Sequence, residues 1–164
     1  MKQYDFQNNI LILKVKKSPF LVRAIMFLIA FLLFVLPIGG TIFGIVQGTG
    51  LRIGYFIAIG VFSLIGFYTL RVSLWNTYGQ ETIQILENKI IYEADYGWFK
   101  DGKKETLISS PSFYAVYAGY DEDKEGVLVI ASDEIEVESV VKLPLSQLGE
   151  LISELKQEFL LVIK

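Results

Sequence analysis

The sequence predicts an α+β membrane protein: a two-helix transmembrane hairpin joined to an antiparallel β-domain that a C-terminal amphipathic helix closes. Three observations predict it. Two uncharged apolar runs, Ala24–Val46 and Ile53–Leu70, flank a Gly-rich turn, Gln47-Gly48-Thr49-Gly50-Leu51-Arg52. After Trp75 the hydrophobic period shortens to two, the period of a half-buried strand. From Pro144 onward it lengthens to 3.6 residues, the period of a helix with one buried face.

Charge follows the same division. The first 23 residues carry Lys2, Lys14, Lys16, Lys17 and Arg23 against a single acid, Asp5. The hairpin turn adds Arg52, and the chain from Arg71 onward holds nine basic and seventeen acidic residues, for a net charge of -3 overall. The β-domain is therefore acidic, which argues against nucleic acid or anionic lipid headgroups as its partner. The sequence contains no cysteine and no histidine. Disulfides, thiol chemistry and Cys-based zinc sites are thereby excluded, as are the commonest general base and the commonest metal ligand. No cofactor is implied.

In chain order, residues 1–8 are polar and read as loose. Asn9–Lys17 alternates, with Leu11, Leu13 and Val15 on one face, and predicts a strand. An apolar strand ahead of a membrane span needs a sheet to join, so it is expected to pair with strands after the hairpin. Residues 1–17 thus form an N-terminal strand segment, 18–75 the hairpin and 76–164 the β-domain. Ser18-Pro19 opens the first helix, about 20–46, as N-cap and first-turn proline. Its apolar run amounts to about 34 Å of helix against a hydrocarbon core of about 30 Å. Pro37 within it reads as a static bend or as a hinge. The second helix, about 53–75, ends in the interfacial aromatics Tyr68 and Trp75. The run is too long, and lacks a small-x-small cleavage site, for a signal peptide, so a retained anchor is expected. Five basic residues before the first helix against one in the turn place both termini in the cytoplasm.

Beyond the hairpin the pattern predicts strands at Glu81–Leu86, Lys89–Tyr96, Lys103–Ser109, Ser112–Ala118, Val127–Ser132 and Ile135–Leu143. A turn bearing Trp98 and Phe99 separates the second from the third. The closing helix follows Pro144, with Leu148, Leu151, Ile152, Leu155, Phe159 and Val162 on its apolar face.

Seven strands and one C-terminal helix is the order of a pleckstrin-homology-like (PH-like) barrel. Leu74-Trp75-Asn76-Thr77-Tyr78-Gly79-Gln80-Glu81 resembles the Leu-Trp-Asn-x-x-Gly-x-Glu signature of small bacterial membrane proteins in which a two-helix hairpin precedes a PH-like domain. In that family a short strand ending in basic residues comes before the hairpin, as Ile10–Lys17 does here. The resemblance implies a PH-like antiparallel β-barrel and a bacterial inner-membrane location. It carries over no catalytic residues. A phosphoinositide site would need converging basic residues, whereas Lys100, Lys103 and Lys104 are interspersed with Asp95, Asp101 and Glu105.

Several residue sets invite a functional reading. Gly40, Gly44 and Gly48, four apart, suit close helix packing, within the hairpin or across a homodimer. Lys14, Lys16, Lys17 and Arg23 suit anionic headgroups. Glu134, Glu136 and Glu138 share one strand face, either solvated or docking a basic partner. Asp121-Glu122-Asp123-Lys124-Glu125-Gly126 opens like an EF-hand loop, but Ser132 stands where the bidentate Glu belongs, so it reads as an acidic turn. Glu81 with Arg71 or Tyr78 reads as a polar helix-to-strand junction. Tyr92, Tyr96, Trp98, Tyr114, Tyr117 and Tyr120 divide between core and interaction surface. Together these predict a non-enzymatic, membrane-anchored interaction module. It would dock a membrane-protein partner or another copy at the cytoplasmic face, with a lipid- or membrane-sensing module as the alternative.

Overall fold

The computed structural model describes residues 2–119, 124–132 and 135–162. The chain divides into two compact units: Lys17–Thr77, and Met1–Lys16 together with Tyr78–Lys164.

The helical unit consists of α1 (Phe20–Val46) and α2 (Ile53–Tyr78). Both are long and apolar enough to cross a membrane by length and composition. They close on each other through small residues. A Cβ on Gly66 would lie 3.0 Å from the Phe34 ring and 3.3 Å from Leu33 Cβ. Gly48 and Gly50 turn the chain at φ +82° and +66°, a region a side chain disfavours. Thr49 Oγ1 donates to the Gly44 carbonyl at 2.6 Å and holds that turn to the end of α1. Four polar side chains of α2 find an acceptor within the helix. Thr69, Ser73, Asn76 and Thr77 each donate to the carbonyl four residues earlier. A polar group in an apolar setting needs such a partner. Pro37 lies within α1, and Thr41 Oγ1 donates to its carbonyl at 2.7 Å.

The second unit holds nine strands and one helix among the described residues. β1 (Tyr4–Gln7), β2 (Ile10–Lys14), β3 (Gln80–Ile85), β4 (Lys89–Asp95) and β5 (Lys100–Leu107) form an antiparallel sheet in that order. The other sheet runs β6 (Ser112–Tyr117), β7 (Glu125–Ser132), β8 (Ile135–Glu138), with β9 (Leu143–Pro144) also on β7. α3 (Leu145–Val162) packs on β6, β7 and β9. Leu148, Leu151 and Leu155 are fully buried, three and four apart, so one helix stripe fills the core. Phe159 meets Phe113 of β6 at 5.3 Å between ring centroids. Leu11, Leu13, Ile83, Ile85 and Ile90 supply the buried face of the larger sheet.

The structure differs from the sequence expectation at three places. Residues 4–7 are a strand, not a loose end. Asn8 and Asn9 adopt φ 51° and 62°, the two left-handed residues of a two-residue hairpin turn. β1 therefore pairs with β2 from Tyr4↔Leu13 to Gln7↔Ile10. Second, no closed barrel forms among the described residues: β1, β5, β6 and β8 each pair on one side only. Between β5 and β6 the chain runs through Ser110, at φ 53°, and Pro111, which has no N–H to donate. Ser132 Oγ receives the Ser109 amide at 2.7 Å, so a side chain replaces the ladder there. Third, the predicted Ile135–Leu143 strand splits into β8 and β9. The amides of Val140 and Val141 turn away to a carboxylate on β3.

β2 pairs with β3 from Ile10↔Gln84 to Lys14↔Gln80. Segments before and after the two helices thus share one sheet, and the helical unit is an insertion within it.

Candidate functional site

The accessible surface is decided by which strand edges are guarded. An edge strand exposes unpaired N–H and C=O groups, and charges along it discourage pairing with another chain. β5 carries Lys100, Asp101, Lys103, Lys104 and Glu105. β8 carries Glu136 and Glu138, and β1 carries Asp5. β6, Ser-Phe-Tyr-Ala-Val-Tyr, carries no charge. Among the described residues it ladders only to β7, from Ser112↔Ala131 to Tyr117↔Gly126. Phe113 is buried under α3, whereas Tyr114, Val116 and Tyr117 are exposed. Registers place Tyr114 in line with Val129 and Glu138, and Ser112 with Ala131 and Glu136. The acidic pair and the uncharged strand therefore lie on one sheet face. Tyr114 Oη donates to Glu136 Oε1 at 2.8 Å. That bond holds the Tyr114 phenol above its ordinary pKa.

Glu81 follows a different logic. It lies on the core face of β3 and is 0% exposed. Its Oε1 accepts from Tyr92 Oη at 2.6 Å and from the Val140 amide at 2.8 Å. Its Oε2 accepts from the Val141 amide at 3.1 Å. One carboxylate thus ties β3 and β4 to the segment joining β8 to β9. Burial pushes its pKa up, and the bonds from Tyr92, Val141 and Val140 oppose that push. Burial, reinforced by Glu81, likewise raises the Tyr92 phenol. The sequence reading placed Glu81 beside Arg71 or Tyr78; the bonds to Tyr92, Val140 and Val141 give it a clamping role between strands. A buried carboxylate without a positive partner survives only with such donors.

The remaining sequence candidates are dispersed. Lys14 and Lys16 are exposed at the end of β2, and Lys16 reaches Glu125 at 3.7 Å. Lys17 is exposed, and Arg23 lies in the first turn of α1 with its buried Nε unpartnered. Gly44 lies directly against the Tyr55 side chain, so it serves packing within the hairpin. Gly40 has open space where a Cβ would stand, and Gly48 belongs to the turn beyond α1. Glu136 and Glu138 are exposed on β8, while Glu134 and most of the acidic turn, Asp121 to Asp123, lie outside the described residues. Among the described residues, no group of three His, Cys, Asp or Glu is placed to hold a metal.

Two features escaped sequence reasoning. Strand edges are invisible in a linear pattern, although the uncharged run Ser112–Ala118 amid charged strands was a usable signal. The partners of Glu81 lie 11 to 60 residues away, and only an acid at an inward strand position hinted at them.

Compared with protein-family models, with curated proteins and with solved structures, the chain matches none.

Proposed function

We propose that this protein is a bacterial inner-membrane protein whose α1 and α2 span the bilayer, with both termini in the cytoplasm, and whose β-domain is a non-enzymatic docking module of PH-like architecture. The observation that carries the docking role is β6, the one uncharged strand among the four longer edge strands of the described residues. Backbone groups along such an edge accept an added strand, while exposed Tyr114, Val116 and Tyr117 supply side-chain contacts. Glu136 and Glu138 on the same face favour a segment bearing basic residues. The fitting occupant is an extended, basic segment of a membrane-protein partner or of another copy, which would make the chain an accessory subunit of a complex.

The membrane part of the reading is supported by two helices apolar around their whole circumference yet almost unburied within the chain. A soluble protein would have to bury such helices. The basic residues before α1 support the orientation. Two antiparallel sheets followed by one packed helix support the PH-like resemblance.

The test is purification of the full chain from its native membrane in gentle detergent, with mass spectrometry and a native mass of the complex. A reproducible protein partner, or a defined homo-oligomer, is expected. Val116→Lys, which places a charge on the open edge, should abolish that association while leaving the chain folded. A lone monomer carrying only lipid would overturn the docking reading in favour of lipid or membrane sensing.

A further inference from the structure

The end of the larger sheet at which the chain departs for α1 and returns from α2 is marked by one row of residues. Register aligns Lys14 of β2 with Gln80 of β3, Gln80 with Asp95 of β4, and Asp95 with Lys100 of β5. Beyond this row, beside the segments that lead to α1 and from α2, lies the β4–β5 turn, Tyr96-Gly97-Trp98-Phe99. The turn is rigidly built. The Tyr96 amide donates to the Phe99 carbonyl at 2.9 Å, and their rings stack at 4.8 Å between centroids. Gly97 sits at φ 84°, with its amide donating to Asp95 Oδ1 at 2.7 Å. A Cβ there would come within 2.7 Å of Tyr78 Cβ, and Tyr78 is the last residue of α2. The tip of the turn therefore lies against the very residue at which α2 ends.

At that tip Trp98 is 69% exposed. So exposed an indole contributes little to the core. The acids of this sheet end are already engaged. Asp95 takes the Gly97 amide and the Gln80 side chain, Glu93 pairs with Lys100 at 3.1 Å, and Asp101 takes the Gly102 amide. Lys14 remains exposed beside them, and Lys16, also exposed, reaches Glu125 at 3.7 Å. An amphipathic indole flanked by lysines is the chemistry of the headgroup layer, where Trp is favoured and basic residues meet lipid phosphate.

We infer that the β4–β5 turn is a membrane-surface contact, with Trp98 seated in the headgroup layer of the bilayer that its own helices cross, beside Lys14 and Lys16. The inference rests on the reading of α1 and α2 as spans. It adds a third attachment to the two covalent links and sets which faces of the β-domain look away from the lipid.

The two tryptophans of the chain, Trp75 and Trp98, permit a direct test. The full chain is reconstituted in vesicles of phosphatidylcholine and phosphatidylglycerol. Its emission minus that of the Trp98→Phe chain isolates Trp98, and the Trp75→Phe chain reports the same residue directly. Trp98 should emit to the blue of an indole in water, lose the larger part of its emission to lipids spin-labelled at the headgroup, and resist aqueous iodide. Quenching by iodide with no effect of the labelled lipid would overturn the inference. Alkaline carbonate extraction of the same vesicles separates the two levels. Release of the chain would overturn the spans and the inference together, whereas retention with an iodide-quenched Trp98 would overturn the inference alone.

Discussion

Replacing Glu81 by Ala should open the junction between the two sheets. The carboxylate serves three donors: the Tyr92 hydroxyl and the amides of Val140 and Val141. Each bond to a charged acceptor is worth about 1.5–3 kcal/mol, and each donor left buried alone incurs its own desolvation cost. Removing a charge from the interior offsets part of that loss. Three donors left unpaired at about 1–3 kcal/mol each, less that relief, amount to about 3–5 kcal/mol, so the local opening equilibrium should rise about 10²- to 4×10³-fold. Native-state hydrogen exchange on the full chain in nanodiscs reads this site directly, because the Val140 and Val141 amides report their own opening. Tyr92→Phe leaves both amide bonds in place and should cost only about 1.5–3 kcal/mol. Thr82→Ala, on the opposite face of the same strand, is the control. Unchanged exchange at Val140 and Val141 in the Glu81→Ala chain would refute the clamp.

The pH dependence of the same site has a defined sign. Glu81 is raised above its ordinary value of 4.5, so the folded state binds its proton more readily than the unfolded state. Its contribution is fully present below the ordinary value and is lost as pH rises through the raised one. The stability of wild type relative to Glu81→Gln should therefore shrink from acidic toward neutral pH in paired denaturation curves; the opposite slope would refute the assignment. Asn9→Gly converts the Asn8-Asn9 turn to the preferred Asn-Gly pair and should stabilise the β1–β2 hairpin by up to about 1 kcal/mol, read as slower exchange at the β1 amides. Gly66→Leu should lower thermal stability in detergent by forcing Phe34 and Leu33 aside. Gly40→Leu meets open space within the chain and should leave thermal stability unchanged, while lowering the native mass if helix α1 pairs with another copy through that glycine.

Much of the fold class was legible because it depends on local pattern. Long uncharged runs mark α1 and α2, and Leu148, Leu151 and Leu155 at helical spacing mark α3. Alternation marks most strands. The N-terminal strand β1 escapes a linear reading because its four residues, Tyr-Asp-Phe-Gln, show too short an alternation, and Asn9 of the Asn8-Asn9 turn reads as the start of the next strand. Tyr4 is buried, and its hydroxyl reaches Glu154 of α3, at 3.0 Å, 150 residues away.

The sequence by itself determined the two apolar helices, the antiparallel strands, the acidic character of the β-domain and the chemistries denied to a chain without cysteine or histidine. Each is a property of composition or of short-range period. Only the tertiary structure decided that the strands form two sheets, that Glu81 takes up the backbone amides between β8 and β9, that β6 is an edge strand and that Gly97 lies against Tyr78. Those depend on pairing between residues far apart in the chain, where the register of one sheet, and not the identity of any residue alone, determines which groups meet.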